Sequence, residues 1–323
     1  MRARKHKANA NHAERREHGS AAPDEGVEAA RGCVAGPTVA RSAEVLRALA
    51  RGYRARMPTI ESHGATLHFE IHGATERRAR TIAFAHGSGG NALSWWQQVA
   101  HFTPSYRVVV YDHRGFGQSL CPPEALDPAH FVADLGAILD AAGVDRAAIV
   151  CQSMGGWTGL PFALAHPERT AALVLAGTPG GVATPRIAED GAGLPQRIAE
   201  RGFLGMALAP KFPDRDPARA FLYTQIAALN PPATLPAILG KLGAAARIDP
   251  ARLADLAVPT RVVVGTEDAF FSVDGLREVA DAIPGAGFDV LPGAGHSAYF
   301  EEPAAFNAIL DSFFEEIAWG STS

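Results

Sequence analysis

A mostly parallel central sheet flanked by helices, an α/β class with a helical cap inserted late in the chain, is the architecture this sequence predicts. Three observations carry it. Short apolar runs alternate with helix-like stretches from residue 57 onward. Most of those runs are continuous rather than alternating, as strands covered on both faces require. After Ala176 the rhythm stops for about eighty residues, where no strand-like segment appears.

The elements follow in order. Thr66–Ile71 alternates apolar and polar residues like an edge strand, whereas Thr81–Ala85 and Arg107–Tyr111 are unbroken apolar runs. Asp127 and Pro128 open a helix as N-cap and first residue, and Gly143 closes it. A strand over 147–151, a helix over 154–165, and strands over 171–176, 261–264 and 288–291 come next. A last helix runs from Glu302-Pro303 to Ile317. Such alternation builds a parallel sheet through right-handed crossovers. The core is therefore assigned to residues 57–180 and 256–318. Residues 181–255 are assigned to the cap, with Ala-rich helices over roughly 186–208, 216–229 and 232–247; an interval this long is too large for a plain loop. Residues 319–323 form a short tail.

Composition narrows the class of activity. The chain has 323 residues, 47% apolar and 20% charged, with a net charge of −4, which suits a soluble globular enzyme with a sizeable core. No apolar run reaches the ~20 residues a membrane span needs. Charge is uneven: residues 1–56 hold 12 Lys/Arg against 6 Asp/Glu, and the remainder is acidic. That basic head has no interleaved aromatics and no apolar core of a secretory signal, so it is read as a disordered extension with one short helix capped by Ser42. No nucleic-acid or membrane partner is expected. Cys33, Cys121 and Cys151 make no metal spacing and no disulfide framework, which points to a reduced, cytoplasmic setting.

The chemistry concentrates at Cys151-Gln152-Ser153-Met154-Gly155. A serine on a sharp strand-to-helix turn stands out at the carboxyl edge of a sheet, with free amides behind it. The usual form has Gly where Cys151 stands, and Cys is small enough to be buried there. A serine needs a base and a group that orients the base. His296 follows a late strand in a Gly-rich loop and fits the base. The orienting acid must come from the turn after Arg261–Val264, where Asp268 is preferred for its short side chain and Glu267 stands in reserve. Negative charge on the attacked carbonyl needs aimed amides. Those of Met154 and of Ser88, in His86-Gly87-Ser88-Gly89-Gly90, are the candidates. Gln152, Trp95, Trp157 and Tyr299 are candidates for the substrate pocket. Neither a dinucleotide fingerprint nor a P-loop lysine is present, and no cofactor or metal is called for.

These residues bring the chain to a recognisable family. His86-Gly87-Ser88-Gly89, Asp112-His113-Arg114-Gly115-Phe116-Gly117-Gln118-Ser119 and Gln152-Ser153-Met154-Gly155-Gly156 resemble the α/β-hydrolase superfamily over roughly residues 57–318. Within it the chain is most similar to the small cofactor-free branch of enol-lactonases, serine esterases and haloperoxidase-like esterases. The resemblance implies the α/β-hydrolase fold, a Ser153–Asp268–His296 triad, and hydrolysis of a small, fairly apolar ester or lactone through an acyl-enzyme, with water as co-substrate. Relatives that open epoxides or haloalkanes carry Asp in place of Ser153. Carbon–carbon hydrolases of ring-cleavage products share the H-G-S-G and S-M-G-G segments but usually carry Asn where Gln152 stands. They are the second reading, and a non-catalytic ligand-binding protein on the same scaffold is the third.

Overall fold

In the computed structural model, which describes residues 58–76, 79–242, 248–317 and 319, eight strands share one sheet. They are β1 (Thr59–Ser62), β2 (Ala65–Gly73), β3 (Thr81–Ala85), β4 (Arg107–Tyr111), β5 (Ala147–Gln152), β6 (Thr170–Ala176), β7 (Thr260–Gly265) and β8 (Gly287–Leu291). Their order is β1-β2-β4-β3-β5-β6-β7-β8. The β1–β2 and β2–β4 pairs are antiparallel, and the rest are parallel. β2 is therefore interior rather than an edge. Its alternation reflects half-exposed Glu70, Ile71 and His72, while β1 supplies the backbone partner that the sequence pattern hides.

The strand period of two divides the core into two layers. Ala83, Ala85, Val109, Tyr111, Ile149, Leu173 and Leu175 face one side. There they meet α2 (Phe131–Ala141), α3 (Gly156–Ala165) and α10 (Val273–Asp281) through Leu135, Phe162 and Leu276. Ile82, Phe84, Val108, Val110, Ala148, Val150 and Val174 face the other. That layer is closed by α1 (Trp96–Phe102) and α12 (Pro303–Glu316) through Phe102, Phe306 and Phe314. Every residue of β3, β4, β5 and β6 is buried, which is why these strands read as continuous apolar runs.

Among the described residues no strand lies between β6 and β7. That interval holds α4 (Pro185–Ala192), α5 (Leu194–Arg201), α6 (Phe203–Met206), α7 (Phe212–Arg215), α8 (Pro217–Ala228) and α9 (Thr234–Leu242). The single helix expected over 186–208 is three pieces, divided at Gly193 and at Gly202, whose φ of 70° no other residue type adopts cheaply. Residues 243–247 lie outside the described residues, as do the extension over 1–56 and most of the tail. The inserted helices reach the loops at the carboxyl ends of the strands: Thr234 Oγ1 donates to Gly115 O at 2.7 Å, and Ala207 O accepts from Ser297 N at 2.9 Å. No described helix is long and apolar enough to cross a membrane. A short α11 (Ala298–Glu301) precedes α12.

Candidate active site

Strand register puts the chemically interesting loops side by side. Ala85 pairs with Cys151, Gln152 with Ala176, Ala176 with Val263, and Gly265 with Leu291. The loops that leave β3, β5, β6, β7 and β8 thus emerge at one rim. The chain also reverses its direction of travel across the sheet next to β3, and such switch points leave a crevice at the carboxyl edge.

Ser153 sits on this rim with φ of 48°, a left-handed backbone that costs a non-glycine residue about 1–3 kcal/mol. Three segments enforce it. β5 ends at Gln152, a single 3-10 turn covers Ser153–Gly155, and α3 starts at Gly156. A side chain at Gly155 would overlap the carbonyl of Ala85, so the turn lies flat on β3. Cys151 is accommodated by Gly159: a Cβ there would overlap the Cys151 sulfur, so the helix carries the gap that the usual Gly leaves in the strand. Burial pushes the Cys151 thiol far up, and it stays neutral beneath the serine.

On the other side of the rim, His296 Nδ1 lies 2.9 Å from Asp268 Oδ2 and 3.1 Å from Oδ1. The carboxylate also accepts from Phe270 N at 2.8 Å and Phe271 N at 3.1 Å, so it is fixed before the imidazole meets it. This pairing separates Asp268 from its exposed neighbour Glu267. With Nδ1–H donating to the carboxylate, Nε2 is left as the acceptor. Nε2 is buried and has no hydrogen-bond partner among the described residues, and Phe270 packs on the ring with centroids 4.4 Å apart. The Ser153 hydroxyl is not bonded to Nε2 in this state; such contacts often tighten only with substrate bound. Gln152 links the two halves. Its Nε2 donates to His296 O at 3.2 Å, and its Oε1 lies where a side chain on Gly87 would have to be.

The loop after β3 is braced from below and above. His113 N donates to His86 Nε2 at 2.9 Å, so Nδ1 of His86 carries the proton and donates to Gly87 O at 2.7 Å. Burial lowers the pKa of His86 and, with His86 and Arg114 nearby, lowers that of His113 well below the ordinary value. Asp112 accepts from Ala92 N and Gln118 N, each at 2.7 Å. From the cap, Asn230 donates to Gly90 O at 3.1 Å and accepts from Gly117 N at 2.9 Å. Ser88 is buried, and its amide donates to no group among the described residues.

A profile described as the alpha/beta hydrolase family matches residues 82–309, the stretch that holds all of these parts. The chain belongs to that family. Named relatives include RutD of Caulobacter vibrioides, provisionally called a carbamate hydrolase, at 28% identity over 77% of this chain and 95% of that protein. The 3-oxoadipate enol-lactonase 2 of Acinetobacter baylyi is 26% identical over 79% and 95%. The 2-hydroxy-6-oxo-6-phenylhexa-2,4-dienoate hydrolase of Burkholderia cepacia is 28% identical over 82% and 98%. Among solved structures, the enol-lactonase of Burkholderia xenovorans superposes with a TM-score of 0.68 at 25% identity, covering 80% of this chain and all of the other.

In this α/β hydrolase Trp95 and Tyr299 expose 0% and 2% of their surface and pack on each other with ring centroids 4.4 Å apart. Gln152 spends its amide nitrogen on the bridge to the His296 carbonyl. Trp157 stays half-buried beside Met154 and Phe116, where it can border a substrate. A cavity of about 450 Å³ lies behind the acid, walled by Asp190, Arg197, Arg201, Glu267, Asp268 and Phe270 among others. Ser153 is not among the residues that wall it. Asn230 and Gln152 acquire their roles from partners far off in the chain. Among the described residues no group of three His, Cys, Asp or Glu is placed to hold a metal.

Proposed function

We propose that this α/β hydrolase is a serine hydrolase that cleaves a small, fairly apolar carboxylic ester or lactone. Ser153 attacks the carbonyl while His296 Nε2 takes its proton and later returns it to the leaving group. Asp268 holds the imidazole in the required tautomer. The Ser88 and Met154 amides receive the oxyanion, and water then attacks the acyl-enzyme by the same route in reverse. One observation supports this above others: a buried imidazole, fixed by a carboxylate at Nδ1 and unoccupied at Nε2, shares a rim with a serine in strained backbone. The enol-lactonase relatives agree with an oxygen-ester substrate. The free Cys121 and Cys151 agree with a cytoplasmic location.

The test is turnover of short- and long-chain p-nitrophenyl esters, simple lactones and a simple aryl carbamate, with Ser153→Ala as control. Ester or lactone turnover that disappears in the variant supports the reading. The relative of 28% identity named as a 2-hydroxy-6-oxo-6-phenylhexa-2,4-dienoate hydrolase supports a second reading, carbon–carbon hydrolysis with the same triad. Turnover of such a dienoate, with esters ignored, would select it. Negligible hydrolysis of every probe together with micromolar ligand binding would instead indicate a binding protein.

A further inference from the structure

Glu301 closes α11, is wholly buried, and has no part in the steps above. Its two carboxylate oxygens grip different regions of the molecule. Oε1 accepts from Gly295 N at 3.0 Å, the residue just before the base. Oε2 accepts from Ala209 N at 3.0 Å, in the cap segment between α6 and α7. Two neighbouring contacts run the same way: Ser297 N donates to Ala207 O at 2.9 Å, and the Tyr223 hydroxyl meets Ser297 Oγ at 2.8 Å. Residues 295–297, with His296 in the middle, are thus fastened to the cap.

The charged and titratable groups around Glu301 leave it without a salt bridge among the described residues. Arg215 is nearby but pairs with Glu302 at 2.6 Å. Arg219 pairs with Asp216 and spends Nη1 on the backbone carbonyls of Phe300 and Glu301. The phenols of Tyr223 and Tyr299, both raised by burial, complete the surroundings. Burial pushes the Glu301 carboxyl up to about 7, with the two amides and Arg215 pulling the other way.

We propose that Glu301 is a positioning residue for His296: its anionic carboxylate holds the base loop and the cap segment in one arrangement, and neutralising it loosens the presentation of the base. The chemistry is that of donors and acceptors. A protonated carboxyl keeps one good acceptor and turns its other oxygen into a donor that faces an N–H, so one of the two grips is lost. This inference rests on the serine-hydrolase reading. It adds a second proton, besides the one on the base, whose uptake slows the enzyme.

The experiment is kcat/KM for p-nitrophenyl butyrate from about pH 5 to 8.5 in the wild type, Glu301→Gln and Ser153→Ala, with the melting temperature at each pH. Neutralising Glu301 adds its own loss to that from protonating the base, so the wild-type acid limb should fall more steeply than the Gln variant's. The ratio of the two rates should shrink toward one as pH falls from about 8.5 to 5. At about pH 8.5 the variant's kcat should be about 10- to 100-fold lower and its KM within about twofold, as for partners that orient a reacting group. The stability sign is separate. A carboxyl raised in the folded state contributes stability that is present at low pH and lost as pH rises through about 7. The wild-type melting temperature minus that of the Gln variant should therefore shrink from about pH 5.5 to 8.5. A wild-type to Gln rate ratio that does not change with pH, or a Gln variant with kcat within about twofold of wild type at about pH 8.5, overturns the proposal. If the variant fails to fold, amide exchange of Gly295 and Ala209 in the wild type decides, because protection that stays constant from about pH 8.5 to 5 overturns it as well. Full activity in Ser153→Ala would strike the nucleophile reading instead, so the two failures are distinguishable.

Discussion

The two flanks of the rim that carries Ser153 and His296 are held by different physics. On the β4 flank, the Arg114 guanidinium is fully buried and grips Asp134 with two bonds, at 2.6 and 2.7 Å. Ser62 adds a third contact to that carboxylate at 2.6 Å, and Arg114 Nη1 reaches Ala125 O at 2.6 Å. Beside this pair His86 and His113 are kept neutral by burial. On the β8 flank, the base loop hangs on Glu301, a buried carboxylate with amides but no cation of its own. Burial lowers the two imidazoles of the first flank, whereas it pushes the Glu301 carboxyl of the second up to about 7. The β4 side is thus a platform held by a buried ion pair and the β8 side an adjustable one held by a titratable carboxylate, so the two should break differently.

The largest expected effect is on the adjustable side. Asp268→Asn should lower kcat about 10⁴-fold, because the amide favours the wrong imidazole tautomer; steady-state kinetics with the fold monitored by circular dichroism checks it. Next comes the platform. Arg114→Met leaves Asp134 buried without its cation and should cost roughly 3–5 kcal/mol of stability, read by urea unfolding, while kcat of the folded protein changes far less. Asn230→Ala removes the cap's hold on Gly90 and Gly117 and should cost about 1–3 kcal/mol in transition-state stabilisation, seen as a fall in kcat/KM. The smallest effect belongs to exposed pairs: Glu189→Ala, which breaks the surface contact with Arg186, should shift stability by less than about 0.5 kcal/mol. A comparably small cost for Arg114→Met would erase the contrast between the flanks.

The two flanks also differ in how far the sequence reveals them. Ser153 and Asp268 each follow a largely apolar buried run, which marks both a strand and the rim at its end, whereas His296 follows Phe288-Asp289-Val290-Leu291, a half-buried strand interrupted by Asp289. The preference for Asp268 over Glu267 rests on side-chain length in the sequence, and the coordinates add that Asp268 is the carboxylate that meets His296 Nδ1, at 2.9 Å. Periodicity misplaced β2, since alternation records exposure of side chains and says nothing about whether a short strand such as Thr59–Ser62 covers the backbone edge. Trp95 and Tyr299 have the composition of a pocket wall and the position of a core, a distinction that depends on depth below the rim. Glu301 was illegible: nothing in Phe300-Glu301-Glu302 separates the carboxylate that takes two distant amides from the one that pairs with Arg215 at the surface.

The proposed hydrolysis requires Ser153 as the nucleophile served by His296. The most direct measurement is intact-protein mass after brief exposure to diethyl p-nitrophenyl phosphate, followed by peptide mapping, in the wild type and in His296→Ala. One diethylphosphoryl adduct, carried by Ser153, should form rapidly in the wild type and at least about a thousandfold more slowly without the imidazole. An adduct on another residue, or equal labelling rates in both proteins, would contradict that role of Ser153.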